Sequence, residues 1–349
     1  MRVKSAQGKS NWRAIQARSK IRGKIQLALF ILGFIALIYF ISWGAEFIHN
    51  ITQPLGLQSF KKTYFWDGSS SLNMVFKGSE IYFLSLDPNE KKLSIVKLPQ
   101  QVYVEVPGDY GRWQLRSVYR LGDSEKSPAG PQLLKATLAN LFKLPVDGIL
   151  IFDDSRSFNP QKFVETLKQN PLEIFRLLPS IKTDLTPSEL IRFSLGLRSV
   201  RFDKISEFDL LSLGLLDVEQ NQEGDVKLLA DPEKLDGFVF NNLSDSRIQQ
   251  EGLEVAIFNT TMTSGLGQKA AQIISHLGAN VIQVGSIPDQ NLEKNLITVK
   301  NEKEADMTLK RLKQIFGKEC FDPKICAIIS HPTILSSRGQ VIVILGKDF

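Results

Sequence analysis

Residues 253–285 read LEVAIFNTTMTSGLGQKAAQIISHLGANVIQVG, and this stretch decides the fold of the C-terminal part of the chain. The apolar run LEVAIF predicts a strand, and the apolar residues over 265–277 recur at helical spacing, which predicts a helix. Gly278 ends that helix, and ANVIQVG predicts a second strand. A strand, a helix and a strand in so short a stretch indicate an α/β unit.

The sequence after this stretch continues the same alternation to the C-terminus. LITVK at residues 296–300 predicts a strand, and Asn301 opens a helical pattern that Gly317 ends. The apolar run at residues 340–345 predicts a last strand. We therefore expect a small α/β module over residues 253–349, with a sheet covered by two helices.

The sequence before residue 216 predicts a larger domain of mixed α/β (α+β) class over residues 72–215. Strand-like runs come first, helical patterns open at Pro131 and Pro160, and Thr186 and Glu189 form a capping box before a further helix. The predicted strands lie at residues 72–76, 80–86, 93–98, 101–106 and 148–152. Residues 216–252 are polar and rich in acidic side chains, which is typical of a linker with some local structure.

The N-terminal region has the pattern of a membrane anchor. Residues 1–24 carry eight Lys and Arg side chains and no acidic one, whereas residues 25–45 carry no formal charge. A helix of that length spans about 31 Å, close to the hydrocarbon thickness of a bilayer. We predict a basic cytoplasmic tail (1–24), a single transmembrane helix (25–45) and a membrane-proximal spacer (46–71).

The charge distribution fixes the predicted orientation and removes one class of partner. The formal net charge is +6, and without the eight N-terminal cations the remaining chain carries about −2. By the positive-inside rule the tail stays in the cytoplasm and the bulk of the chain lies outside the membrane. The basic tail then faces anionic lipid, so we expect the lipid bilayer as a partner and no nucleic acid.

The C-terminal module is similar to the LytR C-terminal domain, a module of cell-envelope proteins. The resemblance rests on the 253–285 stretch and on the ending VIVILGKDF. The family usually reads Asn-Gly-Thr at the turn where this chain has Asn259, Thr260 and Thr261.

The middle segment resembles a LytR-CpsA-Psr (LCP) domain. The resemblance rests on residues 80–111 (EIYFLSLDPNEKKLSIVKLPQQVYVEVPGDYG), on FKLPVDGILIFD and on IKTDLTPSELIRFSLGL. It implies a cell-wall role: typical members cross the membrane once and transfer lipid-pyrophosphate-linked glycopolymer to the wall, using acidic residues for a divalent metal and arginines for the pyrophosphate.

The functional positions of that family are replaced in this sequence. Ser79 and Glu80 stand where the family has Asp-Thr, and Gln100 and Gln101 stand where it has Arg-Asp. A neutral Gln cannot offset phosphate charge as Arg does. We therefore expect a degenerate LCP-like domain, a pseudoenzyme with no catalytic residue, no metal site and no cofactor.

Arg112, Arg116 and Arg120 recur at a spacing of four. On a helix they would share one face and could hold a phosphate or an acidic glycan. Solvated surface charge is the alternative, and both interpretations stay open. Cys320 and Cys326 are close in sequence, and outside the cytoplasm a disulfide between them is one hypothesis; two separate thiols are the other.

Three functions follow from these observations. The favoured one is a membrane-anchored, extracytoplasmic cell-envelope protein that binds or scaffolds cell-wall glycopolymer, polyprenyl-phosphate lipid or envelope enzymes. An active phosphotransferase of the LCP type is the alternative: it would need Mg²⁺ or Mn²⁺ and a relocated site at Glu80, Arg112, Arg116 and Asp154. A third hypothesis is an envelope-associated regulator that acts through its basic tail.

Overall fold

The fold is described from a computed structural model of the chain. It describes residues 64–124, 129–152, 159–220, 226–287, 290–300, 306–320 and 326–349. The basic tail and the membrane-spanning segment predicted at 25–45 lie outside these residues. Within the described ranges, no helix combines the length and the apolar character that crossing a bilayer requires. The described residues all belong to one compact unit.

A six-stranded mixed sheet forms the centre of the middle segment. Its order is β7-β6-β1-β2-β3-β8. The first three strands form an antiparallel meander, and β6 and β8 pair in parallel with β1 and β3. The strands are β1 (Leu72–Lys77), β2 (Ile81–Asp87), β3 (Lys92–Leu98), β6 (Gly148–Phe152), β7 (Ile181–Thr183) and β8 (Ile205–Asp209).

Helices cover both faces of this sheet. The capping box predicted from the sequence is present at the start of α5, where Thr186 accepts from the backbone of Glu189 and the Glu189 carboxylate accepts from the backbone of Thr186. Asn159 caps α3 in the same way, by accepting from the backbone of Lys162. The helices of this segment are α1 (Leu115–Ser124), α2 (Gly130–Phe142), α3 (Pro160–Gln169), α4 (Glu173–Leu177) and α5 (Pro187–Ser199).

The segment described above as a linker is built into the fold. It supplies two strands to a four-stranded sheet of order β5-β4-β10-β9, and two helices whose Leu235, Val239 and Ile248 are buried. These elements are β4 (Val102–Val106), β5 (Gly111–Gln114), β9 (Leu216–Gln220), β10 (Val226–Ala230), α6 (Pro232–Asn242) and α7 (Ser246–Glu251).

The C-terminal module has the strand and helix order that the sequence predicts. Its five-stranded sheet has the order β12-β11-β15-β13-β14, with β11 between two parallel neighbours. The elements are β11 (Glu254–Asn259), α8 (Leu266–Leu277), β12 (Asn280–Ser286), β13 (Leu296–Val299), α9 (Asp306–Phe316), β14 (Lys318–Glu319), α10 (Pro332–Leu335) and β15 (Val341–Leu345).

The middle segment and the C-terminal module share one hydrophobic core. Phe83 and Phe142 of the middle segment, whose ring centroids are 4.5 Å apart, belong to the same buried cluster as Val255, Ile257 and Ile274 of the module. The other face of the six-stranded sheet has its own core, in which rings from three elements meet edge to face around Phe76. The module is therefore docked through apolar surface.

A buried ion pair crosses the boundary between the two parts. Arg311 of α9 donates from Nη2 to both carboxylate oxygens of Asp147, at 2.8 and 3.0 Å, and both side chains are almost fully buried. Arg311 Nη1 also donates to Tyr64 Oη at 2.5 Å and to Gln314 Oε1 at 3.0 Å. Asp147 Oδ2 also accepts a hydrogen bond from the backbone N–H of Asn73 at 2.8 Å.

Further polar contacts surround the same boundary. Lys310 pairs with Asp67. Burial alone would raise the pKa of the Asp67 carboxylate. The hydrogen bonds from Lys310 and Ser69 outweigh burial and lower this pKa to about 2. Glu251 accepts from two backbone N–H groups at the start of α9, at 2.8 Å each. A carboxylate at that end of a helix is stabilised by the helix dipole.

We expect Arg311→Met and Asp147→Asn each to destabilise the protein by about 3–5 kcal/mol, because each leaves a buried charge without its partner. The double variant should cost less than the sum of the two, because it leaves no unpaired charge. Chemical denaturation of the full chain measures all three.

Arg201→Met is the matched control, since Arg201 forms an exposed pair with Asp203 and its loss should cost less than about 1 kcal/mol. Equal stability losses for Arg311→Met and Arg201→Met would contradict the importance of the buried pair.

Candidate functional site

The polar residues that the LCP resemblance places at that family's functional positions meet at one end of the β2–β3 hairpin. β2 begins directly after Glu80 and β3 ends at Leu98, and Ile81 lies opposite Leu98 in the register. The turn after β1 and the turn after β3 therefore lie side by side. We call Ser79, Glu80, Lys97, Gln100 and Arg116 the hairpin-end site.

Backbone and amide contacts hold this site together. The Gln100 side chain donates through Nε2 to the backbone carbonyl of Ser79, and the Gln100 carbonyl accepts from the backbone N–H of Arg116 at 3.1 Å. Gln100 thus joins the turn after β1 to the start of α1. The Gln100 amide donates to the backbone, at the position where the LCP resemblance implies a cationic side chain.

The carboxylate of the site is already neutralised within the protein. Glu80 Oε2 lies 2.7 Å from Lys97 Nζ, with both side chains about two-fifths exposed. The hydrogen bond to Glu80 raises the pKa of Lys97 above its ordinary value of 10.5. Burial, followed by the Glu80 charge, raises the pKa of Tyr82, which lies opposite Lys97 in the hairpin. Lys97 therefore stays protonated across the neutral range.

The three arginines predicted as an anion site do not lie on one helix. Arg112 is on β5 and pairs at 3.4 Å with Glu105, its cross-strand neighbour. Arg116 and Arg120 follow on α1, one turn apart and exposed, and Arg116 Nε donates to Gln114 Oε1 at 2.8 Å. The strand–helix junction at residue 115 breaks the shared face that the spacing of four predicts.

A further cation lies at this end of the sheet and was not predicted from the sequence. Lys77, the last residue of β1, has its Nζ 4.9 Å from the centre of the Tyr119 ring. Such a contact is an attraction between the cation and the face of the ring. The position of Lys77 at the end of an apolar strand is visible in the sequence, but its partner Tyr119 lies 42 positions later, on a helix.

The donor set does not fit a divalent metal. Among the residues that the structure describes, no group of three or more His, Cys, Asp and Glu side chains is placed to hold one. Glu80 is the carboxylate of the hairpin-end site, and it is paired with Lys97. Mg²⁺ and Mn²⁺ prefer several oxygen ligands, with carboxylates among them. Asp154, included in the relocated site, lies outside the described residues.

The two cysteines are joined in the structure. A disulfide links Cys320 and Cys326, with their Cα atoms 6.4 Å apart, next to β14 in the C-terminal module. The bond lies in a different part of the fold from the hairpin-end site, so it stabilises the module and takes no part in that site.

The Lys97–Glu80 pair is only partly buried, so its effect is best measured on the pKa of Lys97. We expect Glu80→Gln to return the pKa of Lys97 toward 10.5, because the hydrogen bond to Glu80 is the main cause of the rise. The stabilisation from the pair is complete below that value and is lost as the pH rises through the raised pKa. Titration of the Lys97 side-chain ¹³Cε resonance by NMR measures the shift.

Glu90→Gln is the control for this titration, because Glu90 pairs with Lys204 at 3.7 Å instead of with Lys97. If Glu80→Gln and Glu90→Gln leave the titration of Lys97 equally unchanged, the pair does not hold the charge of the site.

Comparison with known proteins supports the recognition of the C-terminal module. Residues 252–349 match the family described as LytR cell envelope-related transcriptional attenuator. The match begins one residue before the predicted module and ends at its last residue, so the resemblance to the LytR C-terminal domain is confirmed. This match supports a cell-envelope role. The comparison with curated proteins finds no significant match.

Several solved structures are similar to the chain at low identity. TagT of B. subtilis is 12% identical, with 54% of this chain and 96% of that chain covered and a TM-score of 0.36. TagV of B. subtilis is also 12% identical, with 48% and 94% covered and a TM-score of 0.38. The transcriptional regulator EF0465 of Enterococcus faecalis is 11% identical, with 60% and 88% covered and a TM-score of 0.38.

Proposed function

We propose that this chain, which ends in a LytR C-terminal module, binds or scaffolds a wall polymer outside the membrane without transferring it. The observation that carries the proposal is the hairpin-end site. There the carboxylate of Glu80 is paired with Lys97, and the amide of Gln100 donates to the backbone of Ser79.

Charge is the first reason to favour binding over transfer. A pyrophosphate link carries several negative charges, and transferring it requires fixed cations aimed at the oxygens where charge develops. In the hairpin-end site Lys97 is balanced by Glu80, and the Gln100 amide adds no charge. Arg116 remains as a cation of the site, and Arg112 is paired with Glu105. The site can attract an anion weakly, but its charges are few for stabilising a diphosphate.

The position relative to the membrane is part of the same proposal. The uncharged segment at residues 25–45 anchors the chain, and the basic tail keeps residues 1–24 in the cytoplasm. The compact unit then lies outside the membrane. The disulfide between Cys320 and Cys326 supports this placement, because such bonds persist in oxidising compartments and are rare in the cytosol.

The partners that suit this placement are envelope components. Wall glycopolymer and polyprenyl-phosphate lipid both lie where the compact unit would be, and envelope enzymes are the protein partners we propose. The bilayer itself is the partner of the anchor. In this proposal the chain holds polymer near the membrane surface, and a separate enzyme performs the transfer.

We expect the full-length protein, purified in detergent, to co-sediment with isolated cell walls and to release no polyprenyl phosphate from a polyprenyl-diphosphate-linked saccharide. Both assays are run with and without Mg²⁺ or Mn²⁺, and the second follows the lipid product by chromatography. Retention on walls without turnover is the predicted result, because the hairpin-end site lacks the charges for transfer.

Two results would contradict the proposal. Metal-dependent release of polyprenyl phosphate would favour the phosphotransferase alternative, provided that Glu80→Gln with Arg116→Gln removes the activity. Absence of the protein from the wall fraction, while its fold is intact by circular dichroism, would remove the binding role itself.

A further inference from the structure

A polar cavity of about 240 Å³ lies at the opposite end of the β2–β3 hairpin from the hairpin-end site. The hairpin forms one wall, and α6 and α7 form the other. All eleven lining residues are polar or charged, so the cavity offers no apolar side chain to a lipid tail or an aromatic ring. The lining includes Asp87, Lys92, Ser94, Asn241, Ser246 and Gln249.

The walls of the cavity are fixed by hydrogen bonds within the protein. The Asp87 carboxylate, which is 7% exposed, accepts from the backbone N–H groups of Asn89 and Ser246, each at 2.9 Å. Ser94 Oγ donates to the backbone carbonyl of Asn242 at 2.9 Å. These bonds tie the hairpin to the two helices. A ligand would therefore meet groups that are already in place, which lowers the cost of binding.

Other lining groups keep their hydrogen-bonding capacity. Within the described part of the chain, the side chains of Asn241 and Lys92 have no hydrogen-bond or ion-pair partner. Gln249 donates through Nε2 to Ser244 at 2.7 Å, and its Oε1 accepts nothing from a described residue. The cavity thus presents an amide that can both donate and accept, an ammonium donor and a carbonyl acceptor.

We propose that this cavity binds one neutral, polyhydroxylated sugar unit. Each sugar hydroxyl both donates and accepts, which matches a lining of amides, hydroxyls and charged groups. The formal charges balance, since the lining holds two carboxylates, Asp87 and Glu90, and two ammonium groups, Lys92 and Lys204. A neutral ligand is favoured over an anion for that reason. Drug-sized ligands occupy sites of about 300–1,000 Å³. The cavity is smaller than that range, so its volume suits a single sugar ring.

The source of the sugar unit rests on the proposed function. If the chain binds wall polymer, the cavity binds a sugar of that polymer, at the end of the β2–β3 hairpin away from the hairpin-end site. The cavity would then contribute affinity for the glycan, and its chemistry involves no bond making or breaking.

Saturation-transfer difference NMR on the full-length protein in detergent tests the cavity, with free N-acetylglucosamine and glucose as probes at about 10 mM. A dissociation constant on the order of 1–10 mM is expected for one small ring. Asn241→Trp fills the cavity from an exposed position and should abolish the transfer. Asn241→Ala should weaken binding about fivefold, the equivalent of one hydrogen bond.

Gln169→Trp is the matched control, since Gln169 is exposed at the end of α3 and does not line the cavity. It should leave the transfer unchanged. Thermal melting of each variant checks that it is folded. Absence of transfer with the unmodified protein, or equal transfer with Asn241→Trp and Gln169→Trp, would overturn the sugar site.

Co-sedimentation of the same variants with cell walls separates this inference from the proposed function. Weaker sedimentation of Asn241→Trp supports the cavity as a glycan site. Sedimentation without any monosaccharide signal overturns the cavity and leaves the proposed function standing. A monosaccharide signal that Asn241→Trp removes, in a protein that does not sediment, supports the cavity and overturns the proposed function.

Discussion

The buried pair of Arg311 and Asp147 is the contact on which the arrangement of the two parts depends. If either side chain is removed, the other charge stays unpaired in a dry interior, so the interface between the module and the middle segment requires both. The shared apolar core acts in the same direction. The module is therefore an integral part of the described fold, and the position of each polar site is fixed relative to it.

Much of this fold could be predicted from the sequence, and the parts that were missed have physical reasons. The alternation of strands and helices after residue 253 and the capping box at Thr186 are local patterns, so they were recognisable without a structure. The segment 216–252 resembles a linker because its exposed residues dominate its composition, yet Leu235 and Val239 lie four positions apart on one buried helix face. From the sequence of α9 alone, Arg311 would be expected on the surface. Its burial depends on the carboxylate of Asp147, which is distant in the sequence, so no local pattern predicts it.

The candidate site shows the same division between local and distant information. The replacements expected at Ser79, Glu80, Gln100 and Gln101 rest on the resemblance to the LCP family, which local sequence carries. The pairing of Glu80 with Lys97 depends on the hairpin register. The strand–helix junction that separates Arg112 from Arg116 was hidden by a regular spacing. The proposed recognition of a polymer rests on two observations: a hairpin-end site with Arg116 as its one unbalanced charge, and a polar cavity with balanced charges at the other end of the hairpin.

The most direct test of this account is differential scanning calorimetry of the full-length protein in detergent, because it asks whether the middle segment and the module unfold together. We expect one transition whose calorimetric enthalpy equals the van't Hoff enthalpy, as for a single cooperative unit. Two resolved transitions, one of them unaffected by Asp147→Asn, would show that the module folds independently and would contradict the account.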